Sequence, residues 1–193
     1  MRFNDVKNQT AFIIGNGRSR EGIDLNKLDG VTIGCNALYR DFFPTCLFAI
    51  DGRMVKEIKD SSFPDERFWA RSGRTTKMNE IKYKGSNSGV VAFRHAVNWG
   101  FGRIVMLGID LRADATGSVN NIYTNSNNYP KETVKSPKFQ RWITQYESAL
   151  KEAKPYQQFE RIIHPTHSNL LEEWTIKYNL KNIPVEKFIA NLA

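Results

Sequence analysis

The chain is 193 residues long, 40% hydrophobic and 25% charged, with 28 Lys and Arg against 20 Asp and Glu for a formal net charge of +8. With 4 Trp, 7 Tyr and 12 Phe to bury, disorder as the dominant state is excluded. No apolar run reaches the roughly 18–20 residues of a membrane helix. Cys35 and Cys46 are too few for a disulfide scaffold or a structural zinc site. With no apolar signal-peptide core at the start of the sequence, a single cytoplasmic domain with reduced thiols is expected.

In chain order, short runs that are apolar throughout, bounded by Gly, Asp or Pro, read as strands buried on both faces. They are Ala11–Ile14, Val31–Cys35, Leu47–Ile50, a weak Phe68–Ala70, Arg103–Leu107 and Phe159–Ile163. Between and after them, helices are predicted over Leu38–Phe43, Gly52–Lys59, Ser88–Trp99, Pro137–Ala153, Ser168–Trp174 and Pro184–Leu192. Ser88 is placed as an N-cap and Gly100 as a C-cap. Pro137 suits a first helical turn, and Phe139, Trp142, Ile143, Tyr146, Ala149 and Leu150 recur at helical steps. Alternating strands and helices give a Rossmann-like, doubly wound α/β fold with a mostly parallel sheet of about six strands. Two segments break the rhythm. Ser72–Asn87 is basic and polar. Leu111–Ser136 is long, aperiodic and rich in Asn, Ser and Thr, and reads as a lid that is mobile without ligand.

Ligands of open parallel sheets bind outside the carboxyl ends of the strands. That rule selects Gly15, Asn16, Gly17, Arg18 and Ser19 after the first strand, Asn36 after the second and Asp51 after the third. It also selects Asp110 after the strong fifth run, and His164 and His167 after the last. The Gly15–Ser19 turn permits close backbone approach to an anion, with Arg18 to neutralise it, although neither the full dinucleotide fingerprint nor a Walker loop is present. Ser88 and Gly89 open a helix whose free N–H groups suit a phosphate. Asp110 is open to three readings: a ribose hydroxyl, a metal or a loop backbone. His95, mid-helix beside Arg94, reads as structural. His164 and His167 are candidate proton acceptors. Arg67, Arg71, Arg74, Lys77, Lys82 and Lys84 stand against Glu80 alone between positions 67 and 84, either as a solvated surface or as contacts to an anionic acceptor.

Three colinear blocks carry a resemblance. Ile13-Ile14-Gly15-Asn16-Gly17-Arg18-Ser19 is followed by Gly22-Ile23-Asp24 and Cys35-Asn36-Ala37-Leu38-Tyr39. Then come Ser86–Val90 through Leu107-Gly108-Ile109-Asp110, and lastly Pro165–Leu171. Together they resemble the bacterial family 42 sialyltransferases. They are also similar to a wider set of Rossmann-like domains that includes archaeal 6-hydroxymethylpterin diphosphokinases and uncharacterised phage proteins. Arg18 stands where that pattern has proline. The resemblance implies that Asn16, Gly17, Asn36, Ser88, Gly89 and Asp110 line a nucleotide pocket, with Tyr123 and Tyr129 on a lid that meets the phosphate. The family's base histidine has no counterpart, because no histidine lies between His95 and His164.

The leading expectation is therefore a glycosyltransferase-like enzyme using a nucleotide-activated donor, favoured as a nucleotide sugar, with His167 or His164 as base. Two alternatives stand beside it. One is an ATP- and Mg2+-dependent diphosphotransferase, with Asp51 and Asp110 holding the metal. The other is a non-catalytic nucleotide- or nucleic-acid-binding protein of phage type.

Overall fold

A computed structural model describes residues 3, 5–71, 79–114, 116–118, 120–131, 133–135, 139–164 and 172–192. The apolar runs form strands as their composition requires. They are β1 (Thr10–Ile14), β2 (Val31–Cys35), β3 (Cys46–Phe48), β4 (Phe68–Ala70), β6 (Arg103–Leu107) and β7 (Gln158–Ile163). Two more complete the sheet, β5 (Asn79–Glu80) and β8 (Leu180–Pro184). The sheet thus has eight strands rather than six, in the order β5-β4-β3-β2-β1-β6-β7-β8, and every pairing is parallel. The two strands missing from the sequence reading are the edges. β5 is two polar residues long, and β8 mixes polar and apolar residues and ends in Pro184, features that keep edges from pairing further.

Helices cover both faces: α1 (Gly52–Lys59), α2 (Ser88–Trp99), α3 (Gln140–Leu150), α4 (Glu172–Tyr178) and α5 (Val185–Ala190). The strand period of two divides the core accordingly. Ile13, Ile33, Phe48 and Met106 face a layer with Val90, Phe93 and Val97 of α2, Tyr146 and Leu150 of α3, and Trp174 of α4. Phe12, Ile14, Leu47 and Leu107 face the other side, with Met54, Val55 and Ile58 of α1 and Val185 and Phe188 of α5.

Several helix boundaries differ from expectation. The residues after β2 form a 3-10 turn, Asn36–Arg40, rather than a helix over 38–43. Asn87, not Ser88, caps α2: its Oδ1 accepts from Val90 N–H at 2.8 Å. The helix ends on Gly100 at φ 92°, a conformation glycine adopts without penalty. α3 is shorter than Pro137–Ala153, and α4 lies later than Ser168–Trp174, whose first four residues fall outside the described set. Among the described residues, no helix is long and apolar enough to cross a membrane.

Candidate functional site

The sheet reverses its order at β1, which lies between β2 and β6. Such a switch point leaves a crevice at the carboxyl ends of the strands, where flanking loops part to opposite faces. Register fixes what meets there. Ile14 pairs with Gly34 of β2 and Leu107 of β6, so Gly15, Cys35 and Gly108 lie level. Gly15 N–H donates to Leu107 O at 2.8 Å, and Gly17 N–H to Gly108 O at 2.9 Å. Asn16, Asn36 and Asp110 are brought together by this alignment.

An open cleft occupies that position. Of the sequence-predicted residues, Gly15, Asn16, Gly17, Asn36, Ser88, Gly89 and Asp110 line it. Asn16 is buried. Its Nδ2 donates to Cys35 O at 3.2 Å and to Tyr129 Oη at 2.8 Å, while its Oδ1 is buried without a partner. Ser88 Oγ donates to Asn36 Oδ1 at 2.7 Å and accepts from Ile50 N–H at 3.3 Å. The first N–H groups of a helix have no intrahelical acceptor. Asn87 takes that of Val90, and those of Ser88 and Gly89 open the helix on the cleft wall. A side chain at Gly89 would begin 2.7 Å from Tyr146 Oη, so the glycine there is explained by close packing of α2 on α3.

Asp110 serves the loop backbone, one of its three expected roles. Its carboxylate accepts from Ser19 N–H at 3.1 Å, Ser19 Oγ and Asn120 Nδ2 at 3.0 Å. A Cβ at Gly17 would overlap that carboxylate, which accounts for the glycine. Ser19 is therefore a buried support rather than part of the lining. Behind the turns stand two buried arginines that spacing did not reveal. Arg20 Nε donates to Gly15 O at 2.8 Å, and Arg161 Nε donates to Ile109 O at 3.1 Å. Burial pulls the Arg161 pKa down, with the charge of Asp110 opposing.

Other expected site residues lie elsewhere. Arg18 is exposed and paired with Glu21 at 3.2 Å, because the turn after Gly17 directs alternate arginines outward and inward. The arginine that lines the cleft among the described residues is Arg112. Asp51 caps α1, accepting from Arg53 N–H at 2.9 Å, and is not in the lining. His164 is exposed at the end of β7 and outside the lining; His167 lies outside the described residues. Arg67 donates to Phe43 O at 3.0 Å and Arg71 to Gly85 O at 2.6 Å, whereas Lys82 and Lys84 are exposed. Arg74 and Lys77 lie outside the described residues.

The loop expected as a lid is packed on the body between Asn120 and Pro130. Ile122 N–H donates to Asn16 O at 2.8 Å. Tyr123 Oη donates to Asp41 at 2.5 Å and accepts from Arg20 at 3.1 Å. Arg40 binds Ser126 Oγ at 2.8 Å and Asn127 O at 2.9 Å, and pairs with Glu57. Tyr129 does not reach the cleft as a phosphate ligand would; it sits behind Asn16, and burial pushes its hydroxyl pKa up to about 12.

The aromatic part of the lining has no counterpart among the expected site residues. Trp142 and Tyr146 of α3 and Phe139 just before it line the cleft beside α2, together with Asn120 and Asn121. Two non-glycine lining residues, Asn36 and Leu111, hold φ near 53°. That conformation costs a leucine on the order of 1 kcal/mol, and such strain clusters at functional sites. Burial pushes the Cys35 thiol up to about 12 and raises Tyr146 well above the ordinary phenol value, so neither is a nucleophile or base near neutrality.

The carboxylates required by the Mg2+ alternative do not fit. Asp51 is a helix cap outside the lining, and Asp110 is occupied by three protein donors. Among the described residues, no group of three or more His, Cys, Asp or Glu is arranged to hold a metal. Comparison with protein-family models, with curated proteins and with solved structures finds no match to this chain.

Proposed function

We propose that the cleft binds a nucleotide, with its phosphate at the start of α2 and its polar edge on Asn16, and that the chain uses a nucleotide-activated donor, such as a nucleotide sugar, in group transfer. The observation that carries this reading is the buried, unpartnered Oδ1 of Asn16 on a cleft that also holds free helix N–H groups. An unpaired carboxamide oxygen costs about 1–3 kcal/mol when desolvated. A ligand N–H or O–H would recover that cost, and the α2 N–H groups supply positive potential for an anion. Arg112 adds a cation to the same lining.

One observation favours a second reading, binding without turnover. Among the described residues the lining holds no histidine, Cys35 and Tyr146 are held protonated by burial, and Asp110 is committed to Ser19 and Asn120. Calorimetric titration with cytidine, uridine and adenine nucleotides tests the shared premise. Release of free nucleotide from a nucleotide sugar, with and without acceptors, separates the two readings. Absence of binding by all three nucleotide classes at millimolar concentration would overturn both.

A further inference from the structure

The α3 wall of the cleft has no role in the phosphate and amide contacts just described, yet it is the most apolar part of the lining. We propose that Trp142, buttressed edge-to-face by Phe139, forms the platform on which the planar base of the bound nucleotide stacks, an inference that rests on the nucleotide reading above. Both rings are half-buried at the cleft, in edge-to-face contact with centroids 5.3 Å apart and planes at 72°. Trp142 also packs partly on the core layer beneath α2 and α3, which fixes its ring. The platform is rigidly placed relative to the phosphate end. Ser86 N–H and Oγ both donate to Gln145 Oε1 at 2.9 Å, and Tyr146 abuts Gly89. Trp142 is one helical turn before Tyr146, about 6 Å along α3, so a ribose separates the two ends.

A heteroaromatic base differs from other ring-bearing groups in needing both a face and an edge. The cleft offers both. Trp142 supplies the face. For the edge, the Nδ2 of Asn121 has no protein acceptor among the described residues, and Asn121 Oδ1 is already taken by Tyr123 N–H at 2.9 Å. This donor matches a carbonyl or ring-nitrogen acceptor of a base edge. A purely aliphatic occupant would leave it unsatisfied.

The test separates the ligand into its halves. Wild-type protein, Trp142→Ala and Trp142→Phe are titrated with AMP, CMP and UMP, and with ribose 5-phosphate, which has the phosphate but no base. Trp142→Ala is expected to weaken the best-bound nucleotide about 10–100-fold, leaving ribose 5-phosphate binding unchanged. Trp142→Phe should restore most of the loss. A readout independent of the variants' folding is the indole fluorescence of the wild type, which the nucleotide should quench and ribose 5-phosphate should not. Equal nucleotide affinity in Trp142→Ala and wild type, or equal quenching by both ligands, would overturn the stacking platform and leave the nucleotide reading standing. No nucleotide binding to the wild type would overturn both.

Discussion

Of the buried side chains with an unpartnered polar atom among the described residues, His95 and Asn16 have surroundings that could hardly differ more. His95, in the middle of α2, is 1% exposed, and neither ring nitrogen has a partner. The rings of Phe48, Trp69, Tyr83 and Trp99 enclose it, with centroids 5.0, 5.1, 4.7 and 5.2 Å away. Asn16, at the end of β1, has its NH2 group fixed by Cys35 O and Tyr129 Oη and its oxygen unpaired, and it borders an open cleft. An orphaned polar atom is thus informative about ligands only where a cavity lies beside it. In an aromatic box the same deficit is a cost of folding, tolerated because imidazole packs as a ring.

The largest effect that would sharpen this contrast is acid destabilisation through His95. Burial, assisted by the charge of Lys82, lowers its pKa from 6.5 to about 4. The folded state therefore holds the neutral form where the unfolded chain takes a proton. The stability associated with this difference is fully present above pH 6.5 and is lost as pH falls toward 4. A lowering of that size corresponds to about 3 kcal/mol. Denaturant titrations between pH 7 and 4 should show the loss in the wild type. His95→Leu, similar in volume and unable to titrate, should remove that component of the slope. An unchanged slope in His95→Leu would mean that the box admits water or another partner, and the two orphaned groups would no longer differ in kind.

Much of the cleft was legible in the sequence because it is made by local rules. Apolar runs ending at Gly15 and Gly108 announce parallel strands, and the strand-end rule then places Asn16, Asn36, Ser88, Gly89 and Asp110 at one edge. What was not legible depends on contacts between distant segments. Asp51 and Asp110 both follow strands, but one caps a helix and the other pins a neighbouring turn, and no residue type or spacing distinguishes them. Arg18 and Arg20 differ only by which way a 3-10 turn points them. The aromatic wall was read as an ordinary core face of a helix, since its place on the cleft is set by the Ser86–Gln145 contact between α2 and α3. Arg161 did leave a sign: a charge inside the apolar strand run Phe159–Ile163 must find buried acceptors, and it does so in the turn after β6.

A smaller effect is expected at Asn16 itself. Asn16→Ala removes the orphaned oxygen together with the Nδ2 group, so Cys35 O loses its side-chain donor and Tyr129 Oη loses its donor at 2.8 Å while keeping the Ala37 N–H at 3.5 Å. The fold should lose about 1–2 kcal/mol, and nucleotide affinity about 1–3 kcal/mol. Thermal melts and calorimetry on the same preparation measure the two quantities independently. A variant as stable as the wild type, yet unable to bind, would assign the carboxamide wholly to the ligand. The converse would make it a loop pin like Asp110 and remove the contrast with His95.

The smallest effect concerns the strap that holds Asn16 in place from behind. Arg40 is joined to Glu57, Ser126 and Asn127, and it lies 5.8 and 6.0 Å from the ring centroids of Tyr123 and Tyr129. Its pairing with Glu57 is only partly shielded from solvent, at 22% and 21% side-chain exposure, so its removal should cost about 1 kcal/mol or less and be weaker at high salt. The local consequence should exceed the global one. In Arg40→Ala, residues 121–129 lose their anchor to the 3-10 turn after β2, and amide exchange should accelerate there while β1 and β6 keep their protection. Because Tyr129 accepts from Asn16 Nδ2, loosening the strap frees the carboxamide to rotate, and nucleotide affinity should fall a few-fold with no contact to the ligand removed. Exchange confined to wild-type rates across 121–129 would show that Tyr123 and Asp41 hold the strap without Arg40. Faster exchange with unaltered affinity would show that the cleft orients Asn16 through Cys35 O alone.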